Sequence, residues 1–207
     1  MREEKIAALL LAAGASSRMR GAFKPLLPLG GEAVIERTIR LFRDAGIDDV
    51  RVVVGHRSAE LTPILERHGA RSIRNANHAA GMFSSICAGV ASLEEEIEAF
   101  FLLPADIPLV RPATVTALRE EFRRRPGPVY RPSCRGRAGH PVLLPASLRP
   151  CLLRWEGEGG LRGFLSSCVS PLIDVEVGDE GILIDFDTPE DYTALLARLR
   201  PEAETGS

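Results

Sequence analysis

The sequence is poor in cysteine, and its few cysteines are not arranged for a shared task. None belongs to a Cys-x-x-Cys pair, and none stands near a histidine at a spacing that metal ligands use. Nothing in their number or spacing therefore favours a disulfide framework or a zinc site. We interpret them as free thiols, which are usual in the cytoplasm. The four residues are Cys87, Cys134, Cys151 and Cys168.

Long hydrophobic runs and a strong charge of one sign are also missing. Although 45% of the residues are hydrophobic, they come in short runs, and none approaches the ~20 residues of a membrane span. The first residues have mixed charge and lead directly into a strand-like run, which does not fit a signal peptide. A net charge of -2 without a basic domain argues against bulk nucleic-acid binding. We expect neither a membrane nor a nucleic acid as a partner.

What the sequence does contain is a regular alternation of short apolar runs with amphipathic segments. Residues 5–12 form a continuous apolar run before Gly14, which is typical of a buried strand. Residues 32–45 place their apolar side chains on one helical face and stop at Gly46. The same criteria predict strands at 50–55, 71–75, 99–106, 127–132, 140–145, 172–177 and 182–187, and helices at 58–69, 83–93, 112–125, 145–169 (interrupted) and 188–200.

The order of these segments predicts the fold class. Strands that alternate with helices in this way indicate an α/β protein, a three-layer αβα sandwich around a mostly parallel, mixed sheet. The chain shows no internal repeat and no linker long enough to divide it. We therefore expect one domain over residues 1–200 and a disordered tail over 201–207.

The loop after the first strand, "AAGASSRMRGAFK", consists of small residues followed by cations. In an open α/β sheet, ligands bind at the carboxyl ends of the strands, where small residues let backbone N–H groups approach them. Arg18 and Lys24 stand where they can balance a phosphate chain. The loop contains neither of two well-known nucleotide-binding motifs, GxxxxGK[ST] and GxGxxG. The alternative to a phosphate-binding loop is a surface turn with solvated arginines.

Acidic residues follow two apolar runs further along the chain. Asp106 comes just after a run of Phe and Leu, between Pro104 and Pro108. A carboxylate there is costly unless it is solvated, paired or bound to a metal. Asp185 and Asp187 alternate with apolar residues in "ILIDFD", so in a strand they would share one face. A metal at the strand ends is one interpretation of these acids, and entry into the following helices is the other.

Two further segments hold candidate ligand contacts. In "GMFSSICAG", Gly81 precedes a helix whose first turn carries Ser84 and Ser85, groups that hold a base or ribose or simply cap the helix. In "RGRAGHPVLLP", a basic loop leads into His140, which is either a contact to an anionic acceptor or a hydrogen-bonded loop histidine. The remaining histidines show no partner pattern and are interpreted as surface or turn groups: His56, His68 and His78.

Taken together and in this order, the segments resemble the MobA-like nucleotidyltransferase family. "LAAGASSRM" with Lys24 resembles its nucleotide loop, "LPADIP" its metal-binding strand end and "DFDTPEDY" its closing segment. Arg20 is an extra residue relative to that loop, so the loop must bulge. "GMFSSICAG", "GHPVLL" and "GEGGLRGFL" are similar to the branch of molybdenum cofactor cytidylyltransferases. The resemblance spans residues 6–195 and implies the Rossmann-like nucleotidyltransferase fold, also called nucleotide-diphospho-sugar transferase-like.

For the nucleotide, the resemblance implies contacts from two segments of the chain. Gly81 and Ser85 would meet the base, and Arg18 and Lys24 would neutralise the triphosphate. The implied donor is CTP. The backbone that borders base and ribose would be that of Leu11, Ala12, Ala13 and Gly14.

For the metal and the acceptor, the resemblance implies a second set of residues. Asp106 and Asp187 would hold Mg²⁺, with Asp185 behind them, and Asp106 would join the two cations of the loop as a catalytic residue. His140 and Arg162 would lie toward the acceptor, which would be molybdopterin. A molybdoenzyme or its maturation factor is the implied protein partner.

Alternatives to this function remain open from the sequence. The nearest is a nucleotidyltransferase that uses a sugar phosphate or another phosphorylated acceptor. From a different class comes a non-catalytic chaperone that binds nucleotide or cofactor for handover, which the longer first loop would suit. A dinucleotide-dependent oxidoreductase predicts a glycine fingerprint in the first loop, and this chain lacks it.

Overall fold

Strand β1 (Ile6–Ala12) lies in the middle of the main sheet, as its run of buried apolar residues requires. The computed structural model describes residues 4–168 and 170–199. Parallel strands flank β1 on both sides, which directs their carboxyl ends to one edge of the sheet. These neighbours are β4 (Asp49–Val54) with β5 (Arg71–Arg74) beyond it on one side, and β6 (Ala99–Pro104) on the other.

The other half of the sheet contains antiparallel pairs, so the sheet is mixed, as predicted. β9 (Val142–Pro145) runs antiparallel to β6 and β7, while β10 runs parallel to β7. The strand order is β10-β7-β9-β6-β1-β4-β5, and β8 pairs with β7. The remaining strands are β7 (Val129–Cys134), β8 (Arg137–Ala138), β10 (Leu172–Glu176), and the separate ribbon of β2 (Pro28–Leu29) and β3 (Glu32–Ala33).

Helices cover both faces of the sheet, and the alternation along β1 shows how. Ala8 and Leu10 pack in one apolar cluster with α1, α2 and α4, whereas Ala7 and Leu9 pack in another with α3, α5 and α6. The predicted three-layer αβα sandwich is therefore confirmed. The helices are α1 (Val34–Asp44), α2 (Ser58–Arg67), α3 (Met82–Ala91), α4 (Pro112–Arg124), α5 (Arg149–Leu153), α6 (Gly160–Ser167) and α7 (Pro189–Leu199).

The predicted strand over residues 182–187 is wrong. Glu180–Leu183 form a 3-10 turn, and the chain then runs to α7 without pairing to a strand. The Asp179 carboxylate accepts a hydrogen bond from the Gly181 N–H at 3.0 Å, which turns the chain where a strand would continue straight. The turn is also wedged against a loop, because a Cβ on Gly181 would lie 2.1 Å from the carbonyl oxygen of Leu109.

Some predictions concern parts of the chain that the structure leaves undescribed. The predicted tail, residues 201–207, and Arg200 at the predicted end of the last helix lie outside the described residues. The single domain over residues 1–200 stays a prediction. Among the helices of the described ranges, none has both the length and the hydropathy that crossing a bilayer would require.

Candidate active site

The loop that follows β1 emerges beside the end of β6 because of the strand register. Leu11 pairs with Pro104 and Ala12 with Val54, so the small residues 13–17 lie at the carboxyl edge of the sheet. Within this loop the backbone makes a left-handed turn, with φ of 50° at Arg20. A positive φ is uncommon for residues other than glycine and asparagine. Gly21, which also has a positive φ, completes the turn.

Lys24 lies at the centre of the site, between two acids that are far away in sequence. Its Nζ is 3.0 Å from Asp106 Oδ2 and 2.6 Å from Asp187 Oδ1. Only 13% of the Lys24 side chain is exposed. Burial lowers the pKa of Lys24, but the hydrogen bonds and charges of Asp187 and Asp106 outweigh it and hold that pKa above its usual value. Lys24 is therefore a charged ammonium near neutral pH.

Asp187 is shared between two cations. Its second oxygen, Oδ2, accepts a hydrogen bond from the exposed Arg18 guanidinium. The hydrogen bond from Lys24, aided by the charges of Lys24 and Arg18, holds the pKa of Asp187 below its usual value. Asp185, by contrast, is exposed and makes no hydrogen bond or ion pair with the described residues, although its charge acts on His140. The structure thus brings Arg18, Lys24, Asp106 and Asp187 together and leaves Asp185 apart.

The donor set can be tested against the predicted Mg²⁺. Within the described ranges, no group of three or more His, Cys, Asp and Glu residues could hold a metal ion. Asp106 and Asp187 nevertheless converge on a single point, the ammonium of Lys24. Mg²⁺ in enzymes is commonly held by one or two carboxylates, with substrate phosphates and water completing the shell. Two convergent carboxylates fit that pattern, and they do not fit an all-protein cage.

Two adjoining cavities lie at this edge of the sheet. The first, of about 210 Å³, is lined by Ala12 and by the cluster around Lys24. The second, of about 260 Å³, is lined by Ala13 and by the start of α3. Both are lined by Leu11, Gly14 and Asp106, so the two cavities adjoin at these residues. The predicted base contacts Gly81 and Ser85 line the second cavity.

Sequence reasoning missed two residues beside this second cavity. His78 is a turn group, as the sequence indicates, in the 3-10 turn His78–Ala80, but it also lines this cavity. It packs against Gly55, where a Cβ would lie 2.6 Å from the His78 Cβ. Asn75 is 4% exposed and donates to Ser85 Oγ at 3.0 Å, so that hydroxyl is held by a side chain and does not cap α3. No local pattern signals either role, because both depend on the end of β4 and β5.

The predicted acceptor residues line a third cavity, of about 540 Å³. His140 and Arg162 face it together with Arg131, and its walls are otherwise largely apolar, with Met82 and Leu161 among them. Burial lowers the pKa of His140 below its usual value, although a backbone hydrogen bond at Leu102 and the charges of Asp106 and Asp185 act the other way. Its buried Nδ1 has no hydrogen-bond partner among the described residues.

The chain is similar to known proteins over most of its length. Residues 8–172 match the model of the MobA-like NTP transferase domain. Molybdenum cofactor cytidylyltransferase of Escherichia coli K12 is 28% identical over 189 residues, 89% of this chain and 92% of that protein. Nicotine blue oxidoreductase of Paenarthrobacter nicotinovorans is 29% identical over 201 residues, 92% of this chain and 96% of that protein.

A solved structure shows the same fold. A nucleotidyl transferase from Methanothermobacter thermautotroptrophicus superposes with a TM-score of 0.81 at 27% identity, covering 95% of this chain and 98% of that one. The three-layer fold with a mixed sheet is therefore the one that nucleotidyltransferases use. The family model spans most of the chain, and the matched residues include the first loop and Asp106. This chain therefore belongs to the MobA-like NTP transferase family and is a nucleotidyltransferase.

Proposed function

We propose that this nucleotidyltransferase moves CMP from CTP to a phosphorylated acceptor of the molybdopterin kind, with Mg²⁺, and releases pyrophosphate. The observation that carries the proposal is the position of Lys24 between two carboxylates beside a loop of small residues. Such a site offers cations for a triphosphate, acids for a divalent ion and bare backbone for a nucleotide.

The proposed reaction is an in-line displacement at phosphorus. A phosphate oxygen of the acceptor forms a bond to the α-phosphorus of CTP, and the bond from that phosphorus to the bridging oxygen of the β-phosphate breaks. Because the attacking oxygen is already an anion, no side chain has to remove a proton. The main obstacle is to bring two polyanions together, and Lys24 and Arg18 reduce it by charge and by positioning. Bound Mg²⁺ would add positive charge at the phosphate oxygens.

Support for the choice of substrates comes from relatives and from the third cavity. The Escherichia coli relative is named as a molybdenum cofactor cytidylyltransferase, which favours CTP and that acceptor. The cavity that holds His140 and Arg162 is largely apolar with cations in its wall, a combination that suits a ring system carrying an anionic group. A sugar phosphate would instead present mostly hydroxyl groups to these walls.

Thermal-shift measurements with each nucleoside triphosphate and Mg²⁺ test the donor. A ligand that binds only the folded state raises the midpoint of unfolding, so CTP should raise it more than ATP, GTP or UTP do. Pyrophosphate release in the presence of molybdopterin should then depend on CTP. A larger rise of the unfolding midpoint with GTP would contradict CTP as the donor. Pyrophosphate release that needs a sugar phosphate would contradict molybdopterin as the acceptor.

Substitution of the acids tests the metal assignment. We expect Asp106→Ala and Asp187→Ala to abolish Mg²⁺-dependent pyrophosphate release, and Arg18→Met to lower the rate by about 10²- to 10³-fold, the scale of one lost transition-state contact. Asp48→Asn is the control, because Asp48 is exposed just before β4, at the opposite edge of the sheet. Near-normal turnover of Asp106→Ala at saturating Mg²⁺ would refute the assignment.

The relative named as an oxidoreductase makes that activity the second candidate. Nicotine blue oxidoreductase matches slightly more of the chain than the cytidylyltransferase does. A nicotinamide dinucleotide should then quench or enhance the fluorescence of the single tryptophan, Trp155, or raise the unfolding midpoint. Binding of NADH or NADPH with no shift of the unfolding midpoint by any triphosphate would favour the oxidoreductase.

A chaperone that hands over nucleotide is the other alternative. It predicts that CTP raises the unfolding midpoint but that no pyrophosphate is released with any acceptor.

The proposal includes a setting for the enzyme. Contact with a molybdoenzyme or its maturation factor follows from the proposed acceptor, since a finished cofactor must reach the enzyme that uses it. A cytoplasmic location is part of the same proposal. Co-purification of the chain with a molybdoenzyme from cells that express both is the measurement, and repeated failure to recover the pair would remove this part of the proposal.

A further inference from the structure

Asp179 is a buried carboxylate that lies outside the site described above. It is 2% exposed, its two oxygens accept three hydrogen bonds, and Oδ1 lies 3.7 Å from Nε of the Arg111 guanidinium. An isolated buried carboxylate is strongly unfavourable, so its retention depends on these donors. Asp179 lies at the start of the turn that leads, eight residues later, to Asp187.

The hydrogen bonds of Asp179 join two segments that each carry an acid of the site. Oδ2 accepts from the Arg111 N–H at 2.9 Å and from Thr114 Oγ1 at 2.6 Å, at the start of α4. That start of α4 ends the loop that carries Asp106. Oδ1 accepts from the Gly181 N–H at 3.0 Å, in the segment that carries Asp187.

Backbone contacts hold the same turn on both sides. The close approach of Gly181 to the Leu109 carbonyl leaves no room for a side chain there. On the other side, the His140 N–H donates to the Ile182 carbonyl at 3.1 Å, and a Cβ on Gly139 would lie 2.3 Å from that oxygen. The turn therefore has one position relative to the Asp106 loop and to the loop that carries His140.

A role in capping α4 alone does not account for this arrangement. Helix α4 has no side-chain cap of its own at Arg111, although a serine, threonine or aspartate at that position would be sufficient for capping. The N–H of Arg111 is bound instead by a residue 68 positions away in sequence. Such a distant partner does what a local cap cannot, because it ties the helix start to another segment.

We propose that Asp179 is a positioning residue that sets the separation of the Asp106 and Asp187 carboxylates, and so the affinity of the site for a divalent ion. The inference rests on the proposed function, in which these two acids hold the metal. Asp179 touches neither substrate nor metal in this scheme. It acts through the turn, which it clamps to the loop after β6.

Mn²⁺ is the probe for the test, with its binding in the presence of CTP followed by electron paramagnetic resonance. In Asp179→Asn one of the two oxygens becomes an amide NH2, so the side chain can accept from the Arg111 N–H or from the Gly181 N–H but no longer from both. We expect this variant to bind Mn²⁺ about 10- to 100-fold more weakly, the effect usual for partners that orient metal ligands. Thr114→Val, which removes one donor and keeps the carboxylate, should show a smaller loss. Asp48→Asn should bind Mn²⁺ as the wild type does.

Two further readouts separate positioning from a general loss of stability. Pyrophosphate release by Asp179→Asn should recover as Mn²⁺ is raised, at a temperature where circular dichroism shows the variant to be fully folded before metal is added. The KM for the acceptor should stay near the wild-type value. If Asp179→Asn fails to fold, Thr114→Val decides the question by the same measurements.

The outcomes distinguish the inference from the function on which it rests. Wild-type protein that binds no Mn²⁺ with any nucleoside triphosphate would overturn the proposed function. Wild-type binding together with unchanged Mn²⁺ affinity in Asp179→Asn and Thr114→Val would overturn the positioning role of Asp179 and leave the proposed function standing.

Discussion

At the scale of single residues, one lysine organises the charges of the site. Lys24 neutralises two carboxylates that would otherwise repel each other at short range, and its ammonium also lies 5.3 Å from the ring centroid of Phe186. Phe186 is fully buried next to Asp187 in sequence, which holds the end of that segment in place. The charge and the position of the two acids therefore depend on Lys24 and Phe186, and the contact with Lys24 is formed only by the tertiary structure.

Removal of the Lys24 charge should destabilise the metal-free protein. In EDTA, we expect Lys24→Met to lower the free energy of unfolding by about 1 to 3 kcal/mol, because it leaves Asp106 without its ion-pair partner and Asp187 with Arg18 alone. The value should fall toward the lower end, since water screens the Asp187 side chain, which is 40% exposed. Chemical denaturation measures the change, and the exposed Lys5→Met is the control.

For the same variant, Lys24→Met, we expect added Mg²⁺ to raise the stability that the substitution lowers. A divalent ion can replace the missing ammonium between Asp106 and Asp187, so Mg²⁺ should stabilise Lys24→Met more than it stabilises the wild type. An equal response of the two proteins to Mg²⁺ would contradict the idea that the lysine and the ion compete for one place.

At the scale of elements, the start of α7 is built from a reciprocal pair of caps. The Asp191 N–H donates to Thr188 Oγ1 at 3.1 Å, while Asp191 Oδ2 accepts from the Thr188 N–H at 2.9 Å and from the Asp187 N–H at 3.0 Å. The sequence predicts this cap, because Thr188 stands directly before Pro189. Only the structure adds that the cap also binds the backbone of Asp187.

Loss of this cap should weaken α7. We expect Thr188→Ala to lower the free energy of unfolding by about 1 kcal/mol, the usual cost of a removed N-cap side chain. Urea denaturation monitored by circular dichroism gives the value. Thr193→Ala is the control within the helix, since the Thr193 hydroxyl only bonds back to the Pro189 carbonyl and alanine is the better helix former. An equal loss in both variants would show that the cap contributes nothing specific.

At the scale of the whole molecule, a buried arginine ties three elements together far from the cations of the site. Arg51 on β4 is fully buried, donates to Asp49 at 2.5 Å and pairs with Glu94 in the loop after α3. Arg71 on β5 pairs with the same glutamate at 2.8 Å. The hydrogen bonds from Arg51 and Arg71 lower the pKa of Glu94 to about 2 from the model-peptide value of 4.5.

This depressed pKa predicts how the network responds to acid. Because Glu94 binds its proton less readily in the folded state, its contribution to stability is complete above about pH 4.5 and is lost as the pH falls toward 2. The midpoint of thermal unfolding of Glu94→Gln should therefore lie below that of the wild type at about pH 7 and equal it near pH 2. High salt should reduce the difference, since the carboxylate is exposed.

The control for this prediction lies two residues away. Glu96 is exposed in the same loop and makes no ion pair with the described residues, so Glu96→Gln removes an equal charge without breaking the network. Its midpoint should follow the wild type at every pH. A difference between wild type and Glu94→Gln that stays constant down to pH 2 would show that the glutamate titrates normally.

Much of the fold was predictable from the sequence because its signals are local. Apolar runs, helical periodicity and caps depend on residues within a turn or a strand of one another, and they located β1, α1 and α7 within a few residues. The late segment failed for the opposite reason. Its alternation is that of a strand, but the side chain of Asp179 and the wedge against Leu109 turn it away from the sheet.

By itself, the sequence determined which chemical groups are available and that an α/β sheet would present them: small residues after the first strand, two cations, and acids after two later apolar runs. Only the tertiary structure decided that Lys24 meets Asp106 and Asp187, from which it is separated by 82 and 163 positions. It also placed His78 at the cavity and left Asp185 outside the cluster. The reason is physical: contacts over such distances are set by strand register and packing, which no local pattern records.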